Sequence, residues 1–388
     1  MEIEPYGTWS LKLHKDGVAR RTPLNGTIEV TRRCNLSCAH CYTNLPVGAR
    51  GAKEGELSCG EHCRLIDEMV EAGCLWLLFT GGEIFVREDF LDIYSHAKEK
   101  GLIVTLFTNG TLITPEIADY LAERRPFSIE VTIYGRMRGT YERVTGVADS
   151  YDRCLQGIRL LIERSLPLTV KTLALRDNVH ELWEMKRFVE SDLGLEFKFD
   201  AMLNPRIDGS RRPLALRLSP EAVVRLDLQD GMRRTEWQRF CAHFTGPPPR
   251  DRESLYQCGG ALHSFAVTPE GTLVPCVLSR RSGYDLRGGS FREGWDRFLG
   301  PLREEKARRQ TRCSACQIKA MCGMCPANGE LENQDAEEPV EFLCRVAHLR
   351  AYALGLPVPD HGHCDYCEGG AQYEELSQTA RLLREQTG

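Results

Sequence analysis

Three closely spaced cysteines near the N-terminus have the residue type and spacing of a metal site. In TRRCNLSCAHCYTN (residues 31–44), Cys34, Cys38 and Cys41 follow the pattern C-x3-C-x2-C. A metal that only stabilises a fold usually has four protein ligands, whereas a catalytic metal keeps one coordination position open. Three thiolates therefore indicate a site with an open position. The spacing also fits a zinc site completed by a residue such as His40, or three unrelated buried thiols.

A second, larger group of cysteines lies in the C-terminal half of the chain. Its spacing is C-x12-G-x4-C, then C-x2-C-x5-C-x2-C, then one further cysteine after eighteen residues. Paired C-x2-C elements are good ligand spacing, and seven thiols exceed what one tetrahedral ion can bind. Two zinc ions are the alternative to larger clusters. The seven residues are Cys258, Cys276, Cys313, Cys316, Cys322, Cys325 and Cys344.

The remaining cysteines give weaker indications. Cys59 and Cys63 stand four residues apart on a predicted helix, which is more typical of ordinary packing than of a ligand pair. Cys74 and Cys154 lie in apolar contexts and are predicted core thiols. The segment HGHCDYC (361–367) combines two histidines with a C-x2-C pair. It fits a zinc site, an electron relay, a contact with the cysteine-rich region, or a tail with incidental thiols.

Composition and charge restrict the class of protein. With 388 residues, the chain is long enough for about two to three domains. The net charge of -5 offers no basic surface for nucleic acid. The N-terminus lacks the apolar segment of a signal peptide, and no run approaches the ~18 apolar residues of a membrane span. We therefore expect a cytoplasmic protein without membrane or nucleic-acid partners, in which clustered cysteines are metal ligands or catalytic thiols.

Alternating strands and helices are predicted to position the first cysteine group. Apolar strand-like runs alternate with helix-like segments from about residue 25 to 205, which favours a parallel sheet covered by helices. Helix starts are predicted at Ser58 with Glu61, at Thr114-Pro115, at Asn178 with Glu181, and at Ser219-Pro220. Six β–α units are fewer than the eight of a closed barrel, so one side is expected to stay open. The predicted strands are GTIEV (26–30), LWLLF (75–79), LIVTLF (102–107), FSIEVTIY (127–134), LTVKTLAL (168–175) and LEFKFDAM (195–202).

The cysteine segment CNLSCAHCY resembles the C-x3-C-x-Φ-C signature of radical S-adenosylmethionine (SAM) enzymes, with His40 at the Φ position. The resemblance implies that Cys34, Cys38 and Cys41 hold a 4Fe–4S cluster and that SAM takes the open position. In that family, electron transfer cleaves SAM to a 5′-deoxyadenosyl radical that abstracts a substrate hydrogen. The family fold is a partial six-stranded α/β barrel, which agrees with the six predicted units.

Several further segments resemble SAM-binding elements of the same family. FTGGE (79–83) resembles its GGE motif, which implies that Gly81, Gly82 and Glu83 bind the SAM amino group. TNG (108–110) resembles a common family turn. By the same resemblance, Thr132 is expected near the SAM ribose and Arg143 near the SAM carboxylate. Many relatives carry aspartate where this chain has Tyr134, so a different environment is expected there.

The second cysteine group resembles the SPASM domain, a C-terminal extension with two auxiliary 4Fe–4S clusters. The resemblance implies that Cys258, Cys276 and Cys325 hold the first auxiliary cluster, whose fourth ligand is Cys241, another group, or the substrate. It implies that Cys313, Cys316, Cys322 and Cys344 hold the second. Sulfatase-maturing relatives have aspartate after the second cysteine, where this chain has Val277, which argues against that activity.

The predicted organisation is an α/β partial (β/α)6 TIM-like barrel followed by a small Cys-rich iron–sulfur SPASM domain. The proposed boundaries are an N-terminal extension (1–23), the radical SAM partial barrel (24–205), a linker with a helix (206–250), the SPASM domain (251–350) and a C-terminal tail (351–388). The last part of the tail is predicted to form a short surface helix.

Enzymes with this pair of domains frequently modify peptides, so the resemblance implies a peptide or protein substrate that is cross-linked through C–C or C–S bonds or oxidised. Only about 24 residues precede the first predicted strand, so leader recognition is expected from a separate protein or by direct docking. Reduced flavodoxin or ferredoxin is the expected electron donor. Two alternatives remain open: a small-molecule substrate such as a tetrapyrrole, and a non-catalytic iron–sulfur or zinc scaffold.

Overall fold

A computed structural model describes residues 4–244, 254–358 and 364–387, with only the backbone for 241–244 and 320. Its central feature is a nine-stranded sheet, and a separate pair of two-residue strands holds the cysteine loop. The strands, in chain order, are β1 (Asn25–Glu29), β2 (Arg33–Cys34), β3 (Leu45–Pro46), β4 (Trp76–Thr80), β5 (Ile103–Thr108), β6 (Ser128–Thr132), β7 (Leu168–Leu173), β8 (Glu196–Asp200), β9 (Ser264–Val267), β10 (Thr272–Val274) and β11 (Tyr284–Asp285).

Helices cover the outer face of this sheet and form the C-terminal region. Those of the first half are α1 (Tyr6–Arg20), α2 (Arg50–Gly55), α3 (Cys59–Glu71), α4 (Phe90–Glu99), α5 (Pro115–Glu123), α6 (Arg138–Thr145), α7 (Ser150–Glu163) and α8 (Leu182–Arg187). Those of the second half are α9 (Pro220–Gln229), α10 (Gly231–Phe244), α11 (Phe291–Glu293), α12 (Gly300–Glu304), α13 (Arg312–Ala315), α14 (Lys319–Cys322), α15 (Pro326–Asn333), α16 (Glu341–Ala353) and α17 (Tyr373–Thr387).

The six predicted strands and the α/β class are confirmed. The strands β1, β4, β5, β6, β7 and β8 pair in that order, all parallel, as a partial barrel. In β4, Leu77 and Phe79 are buried against the outer helices, whereas Trp76, Leu78 and Thr80 are only half-buried. This alternation explains why the run looks apolar throughout: one face forms the core with the helices and the other lines the barrel interior.

The sheet continues into the cysteine-rich half of the chain. Strand β9 pairs in parallel with β1, with Asn25 opposite Ser264, and β10 and β11 follow in antiparallel pairing. Part of the predicted 251–350 domain therefore extends the barrel sheet beyond its first strand. The domain boundaries themselves stay a prediction.

Helical structure begins at all four predicted starts, but one of them lacks its predicted capping box. Ser58 and Glu61 form the reciprocal capping box, and Thr114 and Ser219 cap their helices, each ahead of a proline. The predicted box at Asn178 and Glu181 does not form. Asn178 Oδ1 instead accepts from the Leu175 amide at 2.7 Å, and Glu181 accepts from the amides of residues 136 and 137 at 2.7 and 3.0 Å. Both side chains accept hydrogen bonds from backbone amides outside the helix.

The predicted C-terminal helix is present as α17, but it is more than a surface element. Leu376, Ala380 and Leu383 are buried, and the helix packs on α16 and α9. Beneath it, Arg350 of α16 donates to Asp227 of α9 at 2.8 Å, and both side chains are buried. No helix within the described residues is long and apolar enough to cross a membrane.

Candidate functional site

A cavity of about 290 Å³ lies at the carboxyl ends of the parallel strands. In a parallel α/β sheet this edge is where ligands usually bind, because the loops that follow the strands converge there. The cavity is bordered by the cysteine loop, by four strand ends, by the segment after β8, and by Leu278. Its residues include Cys34, Cys38, His40, Cys41, Gly81, Gly82, Thr108, Asn109, Thr132, Tyr134, Lys171, Leu173, Asn204 and Leu278.

The structure brings Cys34, Cys38 and Cys41 to this cavity together. Cys34 Sγ accepts from the Leu36 amide at 3.3 Å, and Cys41 Sγ accepts from the Asn44 amide at 3.3 Å. Burial raises the pKa of Cys34 to about 12, so a positive metal is needed to keep it as a thiolate. Amide donors to sulfur are a common feature of iron–sulfur ligands.

The distances between these sulfurs separate a cluster from a single ion. The Sγ atoms of Cys34, Cys38 and Cys41 do not all lie within 4.8 Å of one another. One zinc ion with bonds of about 2.3 Å would hold its thiolates only about 3.8 Å apart. A cubane cluster spreads its ligands over several iron atoms and accepts the wider spacing. The three thiols therefore fit a 4Fe–4S cluster better than the zinc alternative.

Gly81 and Gly82 fix the strand end beneath the cysteine loop. A Cβ on Gly81 would lie 2.2 Å from the Thr31 carbonyl oxygen, and one on Gly82 would lie 2.3 Å from that of Arg33. The Gly82 amide donates to Thr31 O at 2.7 Å, and the Glu83 amide donates to Arg33 O at 3.0 Å. Only glycine allows this approach of two backbones, so the pair holds the segment that leads into Cys34.

Glu83 is fully buried and lies outside the residues that line the cavity. Its carboxylate accepts from the Thr108 hydroxyl at 2.6 Å and from the Asn109 amide at 2.7 Å. Burial raises its pKa to about 7, and these bonds counteract part of the increase. The structure thus shows Glu83 joining the ends of β4 and β5, and contact with the SAM amino group stays a prediction.

His40 and Tyr134 form an aromatic wall of the cavity. Their ring centroids are 4.7 Å apart, and Tyr134 also packs against Tyr141. Burial lowers the pKa of His40 to about 4, so the imidazole is neutral near pH 7. Its Nδ1 atom is buried without a hydrogen-bond partner among the described residues. A neutral ring with one unused polar atom fits a flat, polar ligand such as a nucleobase.

Thr132 and Lys171 lie side by side across the pairing of β6 and β7, and both line the cavity. Lys171 Nζ donates to Glu130 Oε2 at 2.9 Å and lies over the Phe107 ring. Sequence reasoning missed Lys171, because a lysine inside an apolar strand run carries no motif. Its position at an inward-facing site of a parallel strand is the signal that would have found it.

Arg143 is the one predicted SAM-binding residue that lies on the exposed surface. It sits on α6, where its guanidinium donates to Thr140 Oγ1 at 3.2 Å and to the Asp177 carbonyl at 3.3 Å. It does not line the cavity. The guanidinium is thus held between α6 and the Asp177 loop, and contact of Arg143 with the SAM carboxylate stays a prediction.

The first set of C-terminal cysteines is also brought together. Burial, and next the proximity of Cys325 and Cys258, raise the pKa of Cys276 to about 11. Cys276 lies on the loop after β10, two residues before Leu278, which borders the main cavity. This group therefore lies beside the cavity rather than on a distant surface.

The second set lines a small separate cavity. Cys313, Cys316, Cys322 and Cys344 all border it. A hydrogen bond from Cys344 lowers the pKa of Cys313 to about 7. No three of these four sulfurs lie within 4.8 Å of one another, which again favours a cluster over one zinc ion. The partition of the seven cysteines matches the predicted sets, while their ligation of clusters stays a prediction.

The other cysteines with described side chains form three pairs. Cys74 and Cys154 are buried in the main core, and Cys59 and Cys63 lie half-buried on α3. The side chain of Cys241 and the whole of His361 and His363 lie outside the described residues. Cys364 and Cys367 are buried, and Cys364 borders the cavity of the second cysteine set.

Comparisons with known proteins relate the chain to radical SAM enzymes. The model of the radical SAM superfamily matches residues 28–189. The AdoMet-dependent heme synthase of Oleidesulfovibrio alaskensis is 32% identical over 335 residues, which make up 80% of this chain and 85% of that protein. The PqqA peptide cyclase of Bradyrhizobium diazoefficiens is 31% identical over 259 residues, 66% of each chain.

Solved structures share the fold at low sequence identity. SuiB of Streptococcus suis bound to S-adenosylmethionine superposes with a TM-score of 0.63 at 14% identity, covering 89% of this chain and 81% of that chain. The same protein bound to its precursor peptide SuiA gives a TM-score of 0.62. At this identity the likeness establishes the fold alone.

Proposed function

The chain belongs to the radical SAM superfamily and is an enzyme of that type, and on this premise we propose that it modifies a peptide or protein side chain. The observation that carries the proposal is the cysteine loop. Three thiols, spaced too widely for one ion, face a strand-end cavity that backbone and aromatic groups also line. We expect the product to be a C–C or C–S cross-link or an oxidised side chain.

The family implies a 4Fe–4S cluster and SAM, and the residues of the cavity fit both. When bound, the reduced cluster supplies the electron that cleaves SAM to the 5′-deoxyadenosyl radical. Cys34, Cys38 and Cys41 would hold the cluster. Gly81 and Gly82 would leave room for SAM at the backbone of β4, and His40 with Tyr134 would wall the cavity and exclude water.

Two auxiliary clusters are proposed for the C-terminal cysteines. Cys258, Cys276 and Cys325 would hold one, and the second cysteine set, defined above, would hold the other. A redox role is proposed for the cluster at Cys276. Leu278, two residues later in the sequence, borders the cavity in which the substrate would bind. A cross-link removes two hydrogens from the substrate: one leaves as an atom to the deoxyadenosyl radical. The other leaves as a proton, which would pass to solvent, and an electron, for which a cluster held by these three cysteines would supply the acceptor.

A peptide substrate is supported by the charge of the cavity and by relatives. Tetrapyrroles of the heme pathway carry several carboxylates, which call for several cations. Among the described residues that line the cavity, Lys171 is the only lysine or arginine, and it is already paired with Glu130. One relative is a PqqA peptide cyclase, and SuiB has been solved with a precursor peptide. A peptide presents amide groups and few charges, which suits this lining.

A tetrapyrrole is the second candidate. It is favoured by the AdoMet-dependent heme synthase of Oleidesulfovibrio alaskensis, which covers more of the chain than the peptide cyclase does. For either substrate, we propose reduced flavodoxin or a ferredoxin-type protein as electron donor. A separate leader-recognition protein is proposed for a precursor peptide.

The test is an anaerobic assay of the reconstituted enzyme with SAM and dithionite. Short peptides encoded beside the gene and an iron coproporphyrin are offered in separate reactions. We expect a peptide to lose the mass of two hydrogens, or to show another defined mass change, with stoichiometric deoxyadenosine. Conversion of the porphyrin with no change in any peptide would replace the first candidate by the second.

A further inference from the structure

Three buried side chains near the C-terminus come together outside the main cavity. Within the described part of the chain, His348, Cys364 and Cys367 are the one group of three metal-ligating residues whose ligand atoms all lie within 4.8 Å of one another. Their exposed fractions are 2%, 5% and 1%. None of the three belongs to the ten cysteines predicted to bind clusters. We propose that they bind one zinc ion, a site separate from the radical SAM chemistry.

The distances match a single tetrahedral ion. His348 Nε2 lies 3.5 Å from Cys364 Sγ and 3.8 Å from Cys367 Sγ. With Zn–S bonds of about 2.3 Å and Zn–N bonds of about 2.0 Å, a tetrahedron places nitrogen and sulfur about 3.5 Å apart. In the cysteine sets predicted to bind clusters, the sulfur atoms do not all lie within 4.8 Å of one another. The compact set therefore selects a mononuclear metal.

The histidine is oriented for a metal by its own helix. His348 Nδ1 lies 2.8 Å from the Cys344 carbonyl oxygen, one turn earlier on α16. A carbonyl only accepts, so Nδ1 carries the hydrogen and Nε2 presents its lone pair to the two thiols. In most metal-binding histidines, the ring nitrogen that does not bind the metal donates a hydrogen bond of this kind, which fixes the ring orientation. The Tyr366 ring packs against the imidazole, with the two ring centroids 5.3 Å apart.

The two thiols lie on a compact turn. The Cys367 amide donates to the Cys364 carbonyl at 3.2 Å, and the Gly370 amide donates to the Cys367 carbonyl at 2.8 Å. A Cβ on Gly370 would lie 2.4 Å from the Cys364 carbonyl oxygen, so the turn closes tightly. A C-x2-C turn of this kind is the usual thiolate half of a structural zinc site.

The chemistry of the donors favours zinc among the available metals. Two thiolates and one imidazole are ligands that zinc prefers, and zinc does not change its oxidation state when it binds. Binding would release the two thiol protons to solvent and remove two buried thiols from oxidation. All three groups are buried, and together they supply three of the four ligands of a tetrahedral zinc site.

The site would join the C-terminal segment to the cysteine-rich region. Tyr352 donates to the Tyr366 carbonyl at 2.8 Å, and α17 packs on α16 and α9. Cys364 also borders the cavity of Cys313 and Cys344. A zinc ion here would hold α17 in place and cover the second cysteine set from one side.

The test measures zinc and iron in anaerobically reconstituted holoenzyme and in variants. We expect about one zinc per chain in the wild type and a loss of at least about tenfold in His348→Ala and in the double variant Cys364→Ser, Cys367→Ser. The double variant Cys59→Ser, Cys63→Ser is the matched control and should keep its zinc. His348→Cys should also keep zinc, because thiolate replaces imidazole in many such sites. Iron should be unchanged in all of them.

X-ray absorption at the zinc edge of the wild type decides the question without any variant. Two sulfurs at about 2.3 Å with nitrogen at about 2.0 Å support the site. Four sulfurs would place the zinc among other cysteines and overturn the proposal. A wild type without zinc would overturn it too, as would a fall of about four irons in the Cys364 and Cys367 variant, since that assigns these thiols to a cluster.

Discussion

Glu83 accepts a hydrogen bond from the Thr108 hydroxyl at 2.6 Å, inside the sheet and away from solvent. The bond ties the end of β4 to the end of β5, directly under the cysteine loop. It also means that a buried carboxyl group, for which no ion pair is seen among the described residues, belongs to the support of the site.

The first prediction is a pH dependence of stability that comes from Glu83. Its folded pKa of about 7 lies above the ordinary 4.5, so the folded state keeps a proton that the unfolded state releases between these values. The contribution to stability is full below pH 4.5 and falls, by on the order of 3 kcal/mol, as pH rises to 7. Glutamine does not titrate, so Glu83→Gln lacks this pH-dependent contribution to the free energy of unfolding. The wild type alone loses stability as the pH rises, and the difference in melting temperature between the two should therefore shrink from pH 5 to 7.5. Calorimetry under anaerobic conditions measures the gap.

The control for that experiment is Glu88→Gln, because Glu88 is an exposed neighbour on the same loop. Its melting temperature should track that of the wild type across the pH range. A gap for Glu83→Gln that stays constant with pH would mean that the buried carboxyl titrates at its ordinary value.

The second prediction concerns the close backbone contact at Gly82. In Gly82→Ala the new Cβ would overlap the Arg33 carbonyl oxygen and displace the loop that leads to Cys34. Overpacking of this kind costs about 1–3 kcal/mol, and if that cost falls on the SAM-bound state, SAM binding weakens roughly 5- to 150-fold. Equilibrium dialysis with SAM measures the change. Gly48→Ala, where no atom lies within 4 Å, is the matched control. Equal affinities of the two variants would contradict the role given to Gly82.

The third prediction separates substrate from cofactor at Lys171. Because this ammonium lines the cavity and pairs with Glu130, Lys171→Met should lower kcat/KM for substrate modification at least about tenfold. Deoxyadenosine release without substrate should persist. Lys198→Met, at the paired position on β8, is the control, because Lys198 is exposed. If both activities stayed at wild-type levels, Lys171 would have no part in binding substrate.

The fourth prediction distinguishes packing from charge at His40. Its imidazole is neutral at pH 7 and packs on Tyr134. His40→Phe keeps the aromatic contact, so SAM affinity should stay within about threefold, whereas His40→Ala should weaken it about tenfold. Isothermal calorimetry with SAM compares them. Equal losses in both variants would show that the ring nitrogen, rather than the ring, carries the interaction.

The strands and the cysteine groups were predictable because their signals are local. Each of the six strands carries apolar residues at least at alternate positions between turns or helix caps, and the Cys34–Cys41 spacing lies within one loop. The same holds for the capping box at Ser58. The absence of the capping box at Asn178 was not predictable in this way, because both of its side chains form hydrogen bonds with other parts of the chain instead.

Other features depend on residues far apart in the chain. The pairing of Asn25 with Ser264 extends the sheet across more than half of the sequence, and no local pattern indicates it. His348 looks like an isolated helix residue until the turn at Cys364 folds against it. The position of Arg143 outside the cavity lining likewise depends on where α6 lies.

The most direct test of the whole account is deoxyadenosine release by the triple variant Cys34→Ala, Cys38→Ala, Cys41→Ala. It is measured anaerobically with SAM and dithionite, beside the wild type, together with iron content. We predict that the wild type releases deoxyadenosine, and that the variant releases none and holds about four fewer irons per chain while the C-terminal cysteines keep theirs. Deoxyadenosine release by the triple variant would contradict the account.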